Sequence, residues 1–144
     1  MSITIRPATP ADAAEILRLN RAHNDARDTI EGIAARLASC PPLETLYLAE
    51  RAGSVLGYIT LRLIPQICDP IPYAEVWELY IDAPYRRQGV GQQLMAHVEQ
   101  VAQAAGATQI VLVTSMKNQT AQHFYRAVGY DQPYLSFRKK LGEQ

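Results

Sequence analysis

The 144-residue chain is 48% hydrophobic and 19% charged, and its 14 basic residues are balanced by 14 acidic ones. That size and balance suit one globular domain spanning 1–144, and they exclude binding to nucleic acid or an anionic membrane driven by net charge alone. No segment approaches the ~18 apolar residues of a membrane-spanning helix, the opening MSITIRPATP lacks an apolar leader core, and Cys40 and Cys68 have no close pairing motif; a cytoplasmic protein with free thiols is expected.

ITIR alternates like a short strand. In TPADAAEILRLNRAH, Thr9 can cap a helix, Pro10 suits its first position, and Ile16 and Leu17 begin an apolar face. RDTIEGIAARLAS predicts a second, weaker helix with Ile30, Ile33, Ala34 and Leu37 at helical spacing and Gly32 against it. LETLYLAE and VLGYITLRL flank RAGS, a hairpin with Gly53 in its loop. PQICDPIP is a proline-broken loop, and AEVWELYI is the next strand. The strongest helix follows YRRQG: Val90, Leu94, Val98, Val101, Ala102 and Ala105 form its stripe and Gly106 stops it. QIVLVTS is a continuous apolar run, suggesting a strand buried on both faces. NQTAQHFYRAVGY is a shorter helix with Ala121, Phe124, Tyr125 and Val128 on one face and Gly129 as terminator, and YLSFRKKL is a final strand. The order predicts a mixed α/β domain around one sheet.

The stretch YRRQGVGQQLM carries the chemistry. A helix N-terminus presents unpaired N–H groups and the positive end of its dipole, Gly89 and Gly91 remove side chains that would keep an anion away, and Arg86 and Arg87 add charge. The arrangement reads as a phosphate cradle, although glycine and arginine before a helix also make an ordinary turn. It is not a P-loop, which needs Lys-Ser/Thr where Gln92 and Gln93 stand. Nor is it a dinucleotide fingerprint, which needs a third Gly or Ala where Leu94 stands.

Arg86-Arg87-Gln88-Gly89-Val90-Gly91 matches Q/R-x-x-G-x-G/A, the acetyl-CoA pyrophosphate signature of the GNAT superfamily of N-acetyltransferases, which the chain resembles over nearly its whole length. ELYIDAPYRRQGVGQQLM looks like that family's strand, turn and helix, and Asn118 followed by FYRAVGY resembles its Asn…FYxxxGF element. The layout and the ending GYDQPYLSFRKKL are also similar to the aminoalkylphosphonate N-acetyltransferases within it. The resemblance implies a single α/β domain with a mixed, mostly antiparallel sheet of about six to seven strands and about four helices. It places acetyl-CoA, the co-substrate, in a cleft between two central parallel strands.

Direct acetyl transfer to an amine needs the amine deprotonated, the thioester carbonyl polarised, the leaving thiolate protonated and both substrates held together. No nucleophilic Ser or Cys motif and no metal-type spacing is present; His23, His97 and His123 read as surface residues. The resemblance implies that backbone N–H groups of Gln88, Gly89, Val90 and Gly91, with Arg86, Arg87 and Gln92, hold the pyrophosphate. It implies that the strand backbone at Leu79, Tyr80 and Ile81 receives the pantetheine arm, Leu79 and Ile81 pairing with it and the amide near Leu79 facing the thioester oxygen. Tyr125 matches the family's thiolate-protonating tyrosine and is implied to be the acid, although its place on the helix face beside Phe124 taken alone reads as a core aromatic. Asn118 is implied to bind pantetheine, or caps its helix; Arg126 reaches the nucleotide 3′-phosphate, or is a solvated arginine. Glu75, eleven residues before Arg86, matches the base of the histone-acetyltransferase branch. Glu78 is the alternative, and both also fit exposed or salt-bridged strand positions. On a regular strand the two face opposite sides, whereas the family's bulge places both on the acceptor side.

The acceptor side is implied to include AHNDARDTIEG and DQPYLS. Asp25, Asp28 and Glu31 make the first segment mildly acidic, which suits a cationic amine or an ordinary solvated loop. A small-molecule primary amine is the expected acceptor, with a peptide also open, and the resemblance implies that edge strands pair two chains as a homodimer. The alternative function is a CoA-binding regulatory or interaction module without transfer; the presence of Tyr125, Asn118 and two candidate bases favours the enzyme.

Overall fold

In the computed structural model, residues 1–23, 27–39 and 43–142 are described. They divide between two compact units, 1–112 and 113–144. In the first unit, strand β1 (Thr4–Pro7) leads through a 3-10 turn (Pro10–Asp12) into helix α1 (Ala13–His23), then α2 (Ile30–Ser39), β2 (Glu44–Arg51), β3 (Ser54–Ile64), β4 (Tyr73–Ile81), a second 3-10 turn (Ala83–Tyr85), α3 (Val90–Ala104) and β5 (Ile110–Leu112). Thr9 does cap: its N–H and hydroxyl both donate to the Asp12 carboxylate, at 2.7 and 3.1 Å. The predicted hairpin is present, with Ala52 and Gly53 both at positive φ (53° and 79°). Two consecutive left-handed residues make the tight turn whose twist suits a two-residue connection.

The sheet runs in the order β1-β2-β3-β4-β5. The first three pairings are antiparallel, and β4 pairs with β5 in parallel. On one face Leu48, Tyr58 and Tyr80 pack with Ile16 and Leu19 of α1, with Ile33 and Leu37 of α2 against them. On the other, α3 lies against β2, β3 and β4 and buries Val90, Leu94, Met95, Val98 and Ala102. Each of the four larger side chains, Val90, Leu94, Met95 and Val98, contributes about 1.5–3 kcal/mol of apolar burial. Arg6 ties the first elements together, bonding Asp12 at 2.8 Å and Glu50 at 2.6 Å. That guanidinium pulls the Asp12 carboxyl down to about 2.

In the second unit the only regular element among the described residues is α4 (Gln119–Ala127). It starts at Asn118, whose side chain accepts from the Ala121 N–H at 3.1 Å. It closes at Gly129 (φ 100°), with the Tyr130 N–H donating to the Tyr125 carbonyl at 2.9 Å.

Three expectations are corrected here. Five strands are present among the described residues, not six to seven, because YLSFRKKL forms none, and Tyr134, Leu135, Phe137 and Leu141 are each more than 80% exposed. Its pattern sets Tyr134 beside Leu135 and follows with Arg138-Lys139-Lys140, so neither face of a strand would be cleanly apolar. The parallel pair β4–β5 therefore lies at one end of the sheet rather than at its centre, and β5 is three half-buried residues, with Val113 beyond it 56% exposed. A continuous apolar run carries no signal for where pairing stops. Finally, His97 is no surface residue: its ring meets Tyr47 edge-on at 4.7 Å, and its Nε2 is buried with no hydrogen-bond partner.

Burial lowers the His97 pKa, so the folded protein resists a proton that the unfolded chain accepts. Its contribution is complete at a pH above the unfolded value of about 6.5 and declines as the pH falls below it. Urea unfolding at pH 7.5 and 5.5 is expected to show a smaller loss of stability on acidification for His97→Leu than for the wild type. Equal losses would mean that His97 does not titrate with unfolding.

Candidate active site

Between β4 and α3 the chain turns twice through left-handed geometry, at Arg87 (φ 61°) and at Gly89 (φ 80°), which sits at the helix N-cap. A non-glycine residue in this region is strained, whereas Gly89 adopts it freely. The Gln93 N–H is the first to be taken up within the helix, donating to the Gly89 carbonyl at 3.1 Å. The N–H groups of Val90, Gly91 and Gln92 therefore stand at the open helix end as donors for an anion. Val90 itself is buried and anchors that end from below, while Gln92 is exposed.

The charged side chains around this turn are not equivalent. Arg86 folds back: its Nε donates to the Ile81 carbonyl at 3.0 Å and its guanidinium lies 5.5 Å from the Tyr80 ring centre. Gln88 accepts from Arg51 at 2.9 Å and donates to the Pro84 carbonyl at 3.1 Å. These contacts brace the loop. Arg87 is exposed and, among the described residues, has no hydrogen-bond or ion-pair partner, so its charge is available.

The same β4 offers a second set of backbone groups. The Asp82 N–H reaches the Leu56 carbonyl at 2.8 Å and the Glu78 N–H reaches Thr60 Oγ1 at 2.9 Å, both toward β3. Alternation along the strand turns the N–H groups of Leu79 and Ile81 to the opposite edge. There β5 pairs only with Ala74, Glu75 and Val76. The backbone of Leu79 and Ile81 thus faces an edge that β5 leaves unpaired, with the Ile81 carbonyl already taken by Arg86.

The bulge is present and resolves the placement of the two carboxylates. Ile59 pairs with Leu79 and Leu61 with Val76, so Thr60 alone opposes Trp77 and Glu78. The extra residue brings Glu75 and Glu78 to one face of the sheet, the face covered by α1 and α2. Glu78 lies 3.5 Å from Asn20 of α1. Glu75 lies 3.6 Å from Arg62 and 3.5 Å from the Tyr73 hydroxyl. Arg62 also approaches Glu44 at 3.5 Å and stacks 4.5 Å from the ring centre of Trp77, which is 53% exposed. Asn20 and Tyr58 join this group although neither was expected in it. The signal was faint: Asn20 falls four residues after Ile16, a polar side chain on the core-facing stripe.

In the second unit Tyr125 packs against Phe124 and Tyr130, with ring centres 5.3 and 6.2 Å away, and burial pushes its phenol pKa up. Asn118 is the cap of α4, so one of its two expected roles is met in the fold; Arg126 is exposed on the last turn. Of the acidic acceptor-side residues, Asp28 pairs with Arg36, Glu31 is exposed in the first turn of α2, and Asp25 lies outside the described residues, as does Cys40. Cys68 is exposed and unpaired with another cysteine. Among the described residues no group of three His, Cys, Asp or Glu side chains is placed to hold a metal ion.

The sequence profile of the acetyltransferase (GNAT) family matches residues 13–130. The chain is 34% identical over 141 residues to an aminoalkylphosphonate N-acetyltransferase of Salmonella typhimurium, covering 95% of this chain and 90% of that one. It is 29% identical over 136 residues to an aminoglycoside N(6')-acetyltransferase type 1 of Stenotrophomonas maltophilia, covering 90% and 86%. Among solved structures, a putative acetyltransferase from Agrobacterium tumefaciens shares the fold with a TM-score of 0.87 at 23% identity, covering 96% of this chain and 99% of that one.

Proposed function

Because the chain belongs to the acetyltransferase (GNAT) family, whose profile spans 13–130, we propose that it transfers the acetyl group of acetyl-CoA directly to a primary amine of a small molecule in a ternary complex. The observation that carries this is the left-handed Gly89 opening onto the free N–H groups of α3, beside a β4 edge that β5 leaves unpaired at Leu79 and Ile81. Both features fit the co-substrate: the helix end suits a pyrophosphate, and a strand edge suits an amide-bearing arm. Acetyl-CoA supplies the activated acetyl thioester.

Gln88, Gly89, Val90, Gly91 and Gln92 hold the pyrophosphate through backbone donors, with Arg87 as the free charge and Arg86 bracing the turn. The Leu79 amide polarises the carbonyl. A carboxylate of the bulged β4, Glu75 or Glu78, takes the proton of the incoming amine. Tyr125 supplies a proton to the departing sulfur, with Asn118 and Arg126 on the co-substrate side. Its raised pKa keeps the phenol protonated through the neutral range, as a general acid requires. The profile match runs through all of these positions, which supports one catalytic domain over 1–144.

The two curated relatives are named for small amines, an aminoalkylphosphonate and an aminoglycoside. On the β4 face, Glu44, Glu75 and Glu78 outnumber Arg62, and that balance favours a cationic amine by simple attraction. The same proposal places the protein in the cytoplasm, as a homodimer paired through a sheet edge, β1 and β5 being the edges present. No described helix is long and apolar enough to cross a membrane.

CoA release measured across aminophosphonates, aminoglycosides, polyamines, amino acids and peptides is expected to depend on the acceptor, with small amines fastest. Tight acetyl-CoA binding with no release from any acceptor would favour a CoA-binding module instead.

A further inference from the structure

We propose that Asn20 and Tyr58 are positioning residues that hold the Glu78 carboxylate for proton abstraction, and that Glu78 rather than Glu75 is the base. This rests on the acetyltransferase reading above. Tyr58 is completely buried between the sheet and α1, and its hydroxyl oxygen accepts from Asn20 Nδ2 at 2.8 Å. With that oxygen occupied, the hydroxyl retains its own hydrogen to give, and the carboxylate beside it is Glu78. Burial first, and the neighbouring Glu78 charge second, push the phenol pKa well above the usual tyrosine range, so this hydrogen stays in place at every working pH. Asn20 Nδ2 also reaches Glu78 Oε1 at 3.5 Å. The backbone of Glu78 is fixed independently, its N–H donating to Thr60 Oγ1 at 2.9 Å within the bulge.

Asn20 reaches the Glu78 carboxylate, the Tyr58 hydroxyl adjoins it and its backbone is pinned, and among the described residues it has no ion-pair partner. Glu75 is differently placed, its carboxylate facing the Arg62 guanidinium that Glu44 and Trp77 also hold. A base must offer its carboxylate to the amine, and a group already facing a cation is poorly placed for that. Asn20 comes from α1, Tyr58 from β3 and Glu78 from β4, so three elements converge on one oxygen pair. A carboxylate held by locked partners keeps its geometry as the amine arrives.

The test is a double-mutant cycle on kcat and on the acetyl-CoA KM. Tyr58→Phe and Asn20→Ala are each expected to lower kcat about tenfold and to leave the acetyl-CoA KM within about twofold. In a Glu78→Gln background neither should lower the residual rate further, whereas in a Glu75→Gln background the tenfold loss should persist. A destabilised fold would reduce the rate in every background, so equal losses throughout would overturn the proposal. So would wild-type kcat in both single variants, or a loss that vanishes only when Glu75 is replaced. Asn20→Ala, on α1 and only partly buried, keeps the test valid should Tyr58→Phe fold poorly. A wild-type chain that releases no CoA with any acceptor overturns the acetyltransferase reading and this assignment with it; an active wild type without coupling overturns this assignment alone.

Discussion

Replacing Gly89 with valine is expected to lower acetyl-CoA affinity by about a hundredfold or more while the chain still folds. The cause is conformational rather than a collision. A Cβ built at Gly89 would meet only Gln92 Oε1, at 3.9 Å, but φ is +80°, a region that a β-branched residue tolerates poorly. Holding valine there costs about 1–3 kcal/mol, and the cheaper response is for the loop to rotate. Rotation swings the N–H groups of Val90 and Gly91 away from a common point. Each hydrogen bond to a charged group contributes about 1.5–3 kcal/mol, so losing two accounts for the hundredfold. Calorimetric titration with acetyl-CoA reads this directly. Wild-type affinity in Gly89→Val, with circular dichroism unchanged, would remove the α3 N-terminus as the pyrophosphate site.

Tyr125→Phe is expected to lower turnover by about 10²–10⁴-fold while acetyl-CoA affinity stays within about twofold. The substitution keeps the ring that packs on Phe124 and Tyr130, so the helix loses little, and removes only the proton. Burial raises the phenol's pKa, so the hydroxyl is protonated across the neutral range and has a proton to give. The departing sulfur takes that proton as charge builds on it while the C–S bond breaks. Loss of turnover together with a comparable loss of acetyl-CoA binding would make Tyr125 a packing residue. Unchanged turnover would remove it as the acid.

These features differ in how far they can be read from sequence. The cradle is local: glycine where φ must be positive, followed at once by a helix, is written within YRRQGVG. The RAGS hairpin is legible for the same reason, and the α3 stripe because Val90, Leu94, Val98 and Ala102 repeat along one face. The carboxylate placement is not local. Period-two alternation puts Glu75 and Glu78 on opposite faces, and only Thr60, on another strand, decides that a bulge brings them together. The His97 ring is half-buried with Tyr47 of β2 against it, and Asn20 is drawn in by Tyr58 of β3; no window around either residue contains that partner. At the C-terminal end, apolar residues alone suggested a strand, but Tyr134, Leu135 and the run of three basic residues form no ladder.

The measurement that bears most directly on the central claim is a calorimetric titration of acetyl-CoA into the wild-type chain, repeated with CoA present as competitor. Saturable binding with one acetyl-CoA per chain, displaced by CoA, is the expected result. No saturable binding up to millimolar acetyl-CoA would contradict the claim that Gly89 and the opening turn of α3 form a co-substrate site.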